Sequence, residues 1–265
     1  MGWAVSAVKV RVAAERLRAS EAGRLWGRLT AVDFFAGSFQ LAALAILCFF
    51  PFLIVVTGAA GRDVAAVVAG WLGLDQPAAQ AVAALFRPGH RSGTFTVPSA
   101  FLLILGAVAV AGTLQSWYER VFDVPHQGWR SVAAQVCWLT ALLAYCAVQA
   151  TAGRIIGPVG GPVAQALLGL VLATLFWWGS MKVLLLGAMR WRALFPSALA
   201  TGVCWVGLGV FSARYFSAQI VANQQIYGSI GVVMVILSWL VAVGVVIHLG
   251  ALVGRLYAER RSRPS

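Results

Sequence analysis

Long apolar stretches, separated by short polar connections, dominate the sequence. Six of them approach or exceed the roughly 20 residues that a helix needs to cross the hydrocarbon core of a bilayer. They cover residues 34–60, 97–117, 132–152, 163–189, 193–213 and 230–254. We therefore predict six transmembrane helices, with hairpin-like connections between most of them.

Two further regions have helical patterns that are too short or too polar to span. Residues 1–33 intersperse apolar positions with arginines, which predicts an amphipathic helix lying on the membrane surface. The loop at 61–96 contains two apolar pieces of about ten residues each, and Asp75 followed by Pro77 is typical of a helix start. We expect short helices in this loop.

Composition excludes a soluble globular protein. Hydrophobic residues make up 61% of the chain and charged residues 11%, whereas a typical soluble domain has roughly 25% charged residues. The predicted fold class is therefore all-α, a polytopic membrane helix bundle. Its parts are a basic segment at 1–33, a transmembrane domain at 34–254 and a basic tail at 255–265.

The distribution of charge predicts the orientation. If six helices cross the membrane, 14 of the 20 Lys and Arg residues fall on the side of the two termini, five fall on the other side, and Lys182 lies within a span. Cytoplasmic loops carry the excess of positive charge. We expect both termini in the cytoplasm of a bacterium, a plasma membrane location, and membrane lipids, anionic ones above all, as partners.

Residues that carry enzyme chemistry are scarce. Glu119, Asp123 and His126 are the only local grouping of acids and histidine, and we interpret it as a short polar inner loop whose acids pair with Arg120 and Arg130. Hydrolysis of phosphodiesters by metal ions needs clustered carboxylates or histidines. We expect no catalytic residues, no metal, no cofactor and no nucleic-acid partner.

Polar residues inside apolar spans are the informative ones, because burying them in lipid is costly. Gln135 and Gln149 lie on one face of the third predicted span, and His248 lies in the sixth. Lys182 either extends its ammonium to the inner interface or contacts an anionic headgroup. These four residues are the candidate polar path or substrate contacts; the alternative is that they join helices through hydrogen bonds.

Three residues are candidates for helix packing. Gly250 and Gly254 form a G-x-x-x-G motif, which indicates a close helix contact within or between chains. Pro51 removes a backbone hydrogen bond and so predicts a kink in the first span. A homo-oligomer or an envelope protein partner remains open.

Two motifs resemble a known family. Tyr227-Gly-Ser-Ile-Gly opens the last predicted span, and Arg190-Trp-Arg-Ala-Leu-Phe-Pro precedes the fifth. With Pro51, these are similar to the YihY/BrkB family of bacterial inner-membrane proteins, over about residues 34–259. Leu252 stands where the family often has a glutamate. The resemblance implies six spans and an envelope role, and relatives have carried a ribonuclease label that these residues do not support.

Two functions fit these observations. The first is transport or flipping of a lipid or another amphiphilic, anionic envelope molecule, for which the four polar residues line the path. The alternative is a scaffold that supports envelope integrity without transport. A polar cavity reached by the candidate residues favours transport, whereas a closed core with those side chains paired favours the scaffold.

Overall fold

The fold is built from helices throughout the part of the chain that the computed structural model describes, residues 34–60, 76–84, 96–126, 128–156 and 161–261. The all-α prediction is therefore confirmed for these residues. The helices are α1 (Phe34–Ala60), α2 (Gln76–Ala84), α3 (Thr96–Phe122), α4 (Arg130–Ile156), α5 (Pro162–Leu184), α6 (Trp191–Phe211), a π-helical segment (Ser212–Phe216), α7 (Ser217–Tyr227) and α8 (Ser229–Arg261).

Five helices in the described part are long and apolar enough to cross a membrane: Phe101–Phe122, Arg130–Gln149, Gln165–Leu184, Trp191–Tyr227 and Ser229–Ala258. Large apolar side chains point outward from several of them, as a lipid-facing surface requires. Helix α1 has 27 residues, but the portion with described side chains, Phe34–Cys48, is a shorter apolar helix. The sixth span therefore stays a prediction.

The structure corrects the boundary of the fifth predicted span. That span was expected to end at residue 213, yet the helix continues through the π segment and α7 to Tyr227, giving a 37-residue candidate span. It stops at Gly228, whose φ of 61° suits glycine. A helix of this length is about 55 Å long, well beyond the roughly 30 Å of a hydrocarbon core. Part of α7 therefore extends past the apolar layer or the helix is steeply tilted.

Other boundaries also differ from the sequence prediction. Helix α5 ends at Leu184 rather than at 189, because Leu186 and Gly187 adopt left-handed φ angles of 50° and 77°. Helix α8 runs on to Arg261, so the predicted tail begins as helix. The second expected loop helix is present as α2. The amphipathic helix at 1–33, the first loop helix and residues 262–265 lie outside the described residues.

Small residues bring α8 and α6 into close contact. A Cβ atom added to Gly250 would lie 2.5 Å from the Cα of Thr201, and Gly254 approaches Ser197 in the same way. The Ser197 hydroxyl donates a hydrogen bond to the Ala251 carbonyl at 3.0 Å. The G-x-x-x-G motif therefore packs helices within this chain. Pro51 lies inside α1, and its side chain is outside the described part.

The core is divided between the two ends of the bundle. At one end of the bundle α3 and α5 finish and α4 and α6 begin. The charge pattern predicts that this end faces the cytoplasm, and we call it the inner end. Its buried cluster is rich in aromatic rings, including Trp117, Trp138 and Trp177. A second cluster packs α2 against α7 and α8 through residues such as Val82, Ile220 and Val232.

Candidate functional site

A chain of hydrogen-bonded polar side chains crosses between α3 and α4 at the inner end. Gln135 donates from Nε2 to Gln115 Oε1 at 3.0 Å, and Gln115 donates from Nε2 to Glu119 Oε1 at 3.0 Å. The other carboxyl oxygen, Oε2, lies 3.0 Å from Nδ1 of His126. The path runs from an exposed imidazole to an amide half-buried between two candidate spans. We call these four residues the polar chain.

Helix geometry explains why these residues meet. Gln115 and Glu119 are one helical turn apart, so they lie on the same face of α3. The chain reverses direction between α3 and α4, which brings Gln135 opposite that face. The two helices are close at this point, since a Cβ added to Gly112 would lie 3.4 Å from the Gln135 amide nitrogen, in van der Waals contact. A short connection between two antiparallel helices is thus sufficient to build the polar chain.

Glu119 is the functional candidate that sequence reasoning missed. It was expected in a polar loop, paired with Arg120 and Arg130, but it is buried within the candidate span Phe101–Phe122. It contacts Gln115 and His126 instead. The sequence did indicate that the helix continues to Glu119: this residue lies four positions after Gln115, and Trp117 and Tyr118 lie between the two. Apolar neighbours of this kind extend a helix through a carboxylate that hydropathy alone assigns to a loop.

The second acid of the predicted loop has a separate partner. Asp123 Oδ2 lies 2.6 Å from the Arg255 guanidinium. This ion pair joins the end of α3 to α8, two elements far apart in sequence. The Asp123 carboxylate is largely exposed, so the pair contributes modestly to stability. Among the described residues, no three of His, Cys, Asp and Glu lie close enough together to hold a metal ion.

His248 is completely buried where α8 meets α1 and α3. Its Nδ1 lies 2.9 Å from the Ser38 hydroxyl, and its ring centroid is 4.1 Å from that of Trp117. Gly37 of α1 lies against both rings, since an added Cβ would be 3.4 Å from Trp117 and 3.7 Å from His248. Among the residues that the structure describes, none is a hydrogen-bond partner of His248 Nε2. His248 therefore links α8 to α1 and retains one unused ring nitrogen.

Lys182 lies in the last turn of α5, at the inner end. Its ammonium donates to the carbonyls of Gly187 at 2.9 Å and Met189 at 2.6 Å, and it lies 5.6 Å from the ring centroid of Trp191. The indole of Trp178 donates to the Trp191 carbonyl at 2.8 Å. The lysine stem thus reaches the turn that follows α5, and its extension to the inner interface stays a prediction. The turn after α5 fixes the position of the charge.

Gln149 lies apart from the other candidates. It donates to the Tyr145 hydroxyl at 3.0 Å, and Tyr145 stacks on Phe176 with centroids 4.4 Å apart. On a straight helix, Gln149 is about 21 Å from Gln135 along α4. The structure therefore does not bring the four predicted site residues together. Each of them has a hydrogen-bond partner within the chain.

Pairing of buried polar atoms is nonetheless incomplete. Within the described part of the chain, eight buried side-chain nitrogen or oxygen atoms lack a hydrogen-bond partner. They belong to Trp117, Tyr118, Ser131, Trp138, Thr174, Trp177, Ser180 and His248. Unpaired polar atoms are costly away from water. All eight side chains come from α3, α4, α5 and α8, the helices that meet at the inner end.

Comparison with known proteins gives one family. A family model described as Virulence factor BrkB matches residues 25–265, nearly the whole chain. No curated protein and no solved structure matches the chain.

Proposed function

We propose that this chain, which belongs to the virulence factor BrkB family of membrane proteins, transports or flips a lipid or another amphiphilic, anionic molecule of the bacterial envelope. The proposal places it in the bacterial plasma membrane with both termini in the cytoplasm. The excess of Lys and Arg at the inner end supports that orientation. We further propose that it has no enzymatic activity, needs no cofactor and binds no nucleic acid.

The observation that supports lipid handling is the cationic and aromatic corner around Lys182. The turn carbonyls fix the ammonium beside Trp191, and Arg190 and Arg192 are exposed next to it. Tryptophan side chains favour the headgroup level of a bilayer. Basic residues at a cytoplasmic surface attract anionic lipids, by about 1 kcal/mol each. The corner therefore has the chemistry to receive an anionic headgroup from the inner leaflet.

A scaffold without transport is the second candidate, and one observation favours it. Gln135, Gln149, Lys182 and His248 each have a hydrogen-bond partner within the chain. They lie at separate places along the bundle. Side chains that only join helices are expected to be paired in this way. Under this alternative the chain supports envelope integrity through its lipid and protein contacts, as a homo-oligomer or with another envelope protein.

Reconstitution into liposomes separates the two candidates. Fluorescent anionic and zwitterionic lipids are followed across the bilayer by chemical quenching in the outer leaflet. We expect wild-type protein to move the anionic lipid, and Lys182→Gln, which removes the charge but keeps an N–H donor, to slow it several-fold. Arg214→Gln is the matched control, because Arg214 is exposed in the π segment away from this corner.

Each outcome of this experiment decides between the candidates. Equal slowing by both variants would show a general charge effect and no site at Lys182. Wild-type protein that moves neither lipid would overturn the transport proposal and favour the scaffold. Slowing by Lys182→Gln alone supports the proposed site.

A further inference from the structure

Three cationic side chains lie at the turn between α5 and α6, and the described part of the chain pairs none of them with a carboxylate. We propose that this turn binds a lipid whose headgroup ends in a phosphomonoester, a group with about two negative charges near neutral pH. The inference rests on the proposed function of this corner and names the class of headgroup that it receives. Binding is measured apart from transport, so either proposal can fail without the other.

The three cations follow one another along the connection. Lys182 lies in the last turn of α5, Arg190 is the residue at which α6 begins, and Arg192 lies in the first turn of that helix. Both arginines are exposed, whereas the lysine is half-buried. The fixed ammonium therefore lies behind two guanidinium groups that face the surroundings of the bundle.

The sequence around these cations supplies no counter-charge. No Asp or Glu occurs between residues 124 and 258, a range that contains all of α5 and α6. The acidic side chains described on α3 are engaged elsewhere, Glu119 with His126 and Asp123 with Arg255. Like charges that lie close together repel one another. An anion with two charges relieves this repulsion more completely than an anion with one.

The position of the ammonium leaves it able to bind such an anion. Two of its three N–H groups donate to the carbonyls of Gly187 at 2.9 Å and Met189 at 2.6 Å, so one donor remains. The ring centroid of Trp191 is 5.6 Å away. Arg190 follows Met189 directly in the chain, which brings its guanidinium within reach of the same anion. The turn thus holds a charge and a donor in a fixed place.

The start of α6 adds donors of its own to the same place. Its N-cap, Arg190, makes no side-chain capping hydrogen bond, because a guanidinium donates and does not accept. Phosphate oxygens are common acceptors for the first N–H groups of a helix. A phosphomonoester has three terminal oxygens, whereas a phosphodiester has one fewer and a single charge. The monoester therefore suits this combination of cations and donors better.

Titration of the purified full-length protein with single lipids measures this preference. Phosphatidic acid is the phosphomonoester, phosphatidylglycerol is the singly charged phosphodiester, and cardiolipin carries two charges on separate phosphates. Native mass spectrometry of the protein released from micelles gives the Kd of the first lipid bound. One more charge beside a basic residue at a membrane surface corresponds to about fivefold in Kd. We expect phosphatidic acid to bind more tightly than the other two lipids, and more tightly than phosphatidylglycerol by about this factor.

The pH dependence follows from the lipid and not from the protein. The second ionisation of a phosphomonoester has a pKa of about 6, so the preference should be present at about pH 7.5 and absent at about pH 5. Comparing phosphatidic acid with phosphatidylglycerol at each pH cancels changes in the charge of the protein, since these affect both lipids. A preference that is equal at the two pH values would contradict the proposed recognition of the second charge.

Two variants and one control assign the preference to this turn. Lys182→Gln, and separately the double variant Arg190→Gln/Arg192→Gln, should bring the Kd values of the two lipids together. Arg130→Gln is the matched control, because Arg130 is also exposed, follows an exposed tryptophan, Trp129, and begins a helix at the inner end. This control should leave the ratio of the two Kd values unchanged. If Lys182→Gln does not fold, the double arginine variant tests the same prediction.

Each other outcome overturns a stated part of the proposal. Equal Kd values in wild-type protein, or a preference that Arg130→Gln also abolishes, would show that no such site exists at the turn. Cardiolipin that binds as tightly as phosphatidic acid would show that total charge decides. Glycerol 3-phosphate that displaces phosphatidic acid at equal concentration would assign the site to a soluble phosphate and exclude the lipid.

Comparison with the liposome assay separates this inference from the proposed function. A wild-type protein that prefers phosphatidic acid but moves no lipid supports the binding site and overturns transport. A wild-type protein that moves anionic lipids and binds all of them equally overturns the inference alone.

Discussion

Replacing Gly250 by alanine should separate α8 from α6. The added Cβ would lie 2.5 Å from Thr201 Cα, whereas carbon atoms pack best at about 3.5–4.0 Å. The helices must therefore part by about 1 Å, and overpacking of this kind costs about 1–3 kcal/mol. The hydrogen bond from Ser197 to Ala251 is weakened too, and such bonds contribute about 0.6 kcal/mol in membranes.

The matched control is Gly207→Ala on α6. Gly207 is exposed, and an added Cβ there meets nothing within 4 Å. Alanine is a better helix former than glycine, so this variant should gain up to about 1 kcal/mol. The two substitutions add the same methyl group and differ only in its surroundings.

Unfolding by sodium dodecyl sulfate in mixed micelles, followed by circular dichroism, measures the difference. We expect Gly250→Ala to lose about 2–3 kcal/mol of unfolding free energy relative to wild type, and Gly207→Ala to lose none. Size-exclusion chromatography on the same samples records the oligomeric state. Full stability of Gly250→Ala combined with loss of an oligomer would refute the internal contact and assign the motif to an interface between chains.

Three further predictions concern orientation, activity and the π segment. Reporter fusions at Ser265 and within 61–96 should report opposite sides of the membrane, and the same side for both would contradict the predicted topology. Purified wild-type protein should cleave RNA in the presence of metal ions no faster than the Glu119→Ala/Asp123→Ala double variant does. Cleavage by the wild-type protein that is lost in the double variant would show that the protein is a nuclease. Trp239→Phe removes the 3.1 Å hydrogen bond that the indole donates to Ser212 in the π segment. The free energy of unfolding in detergent should fall by about 0.6 kcal/mol. A loss several times larger would mean that the π segment depends on this bond.

The candidate site was only partly predictable. The cost of burial directed attention to polar residues within spans, and Gln135 does belong to the polar chain. The same rule missed Glu119, because the end of a span was set where the hydropathy falls. For Lys182 the sequence left open whether its ammonium extends to the inner interface or contacts an anionic headgroup, and its observed partners depend on the left-handed turn at Leu186 and Gly187. Backbone conformations of that kind are weakly encoded in a hydropathy pattern.

From the amino-acid sequence alone it follows that this chain is a bundle of membrane helices, where most of those helices lie, and that the G-x-x-x-G glycines mark a close helix contact. These are local properties: the length of an apolar run and the spacing of small residues decide them. Which polar groups meet became known only from the folded bundle. Gln135 bonds a residue 20 positions away, and His248 bonds one 210 positions away. Such pairs depend on the rotation and register of packed helices, which the contacts of the whole bundle fix together.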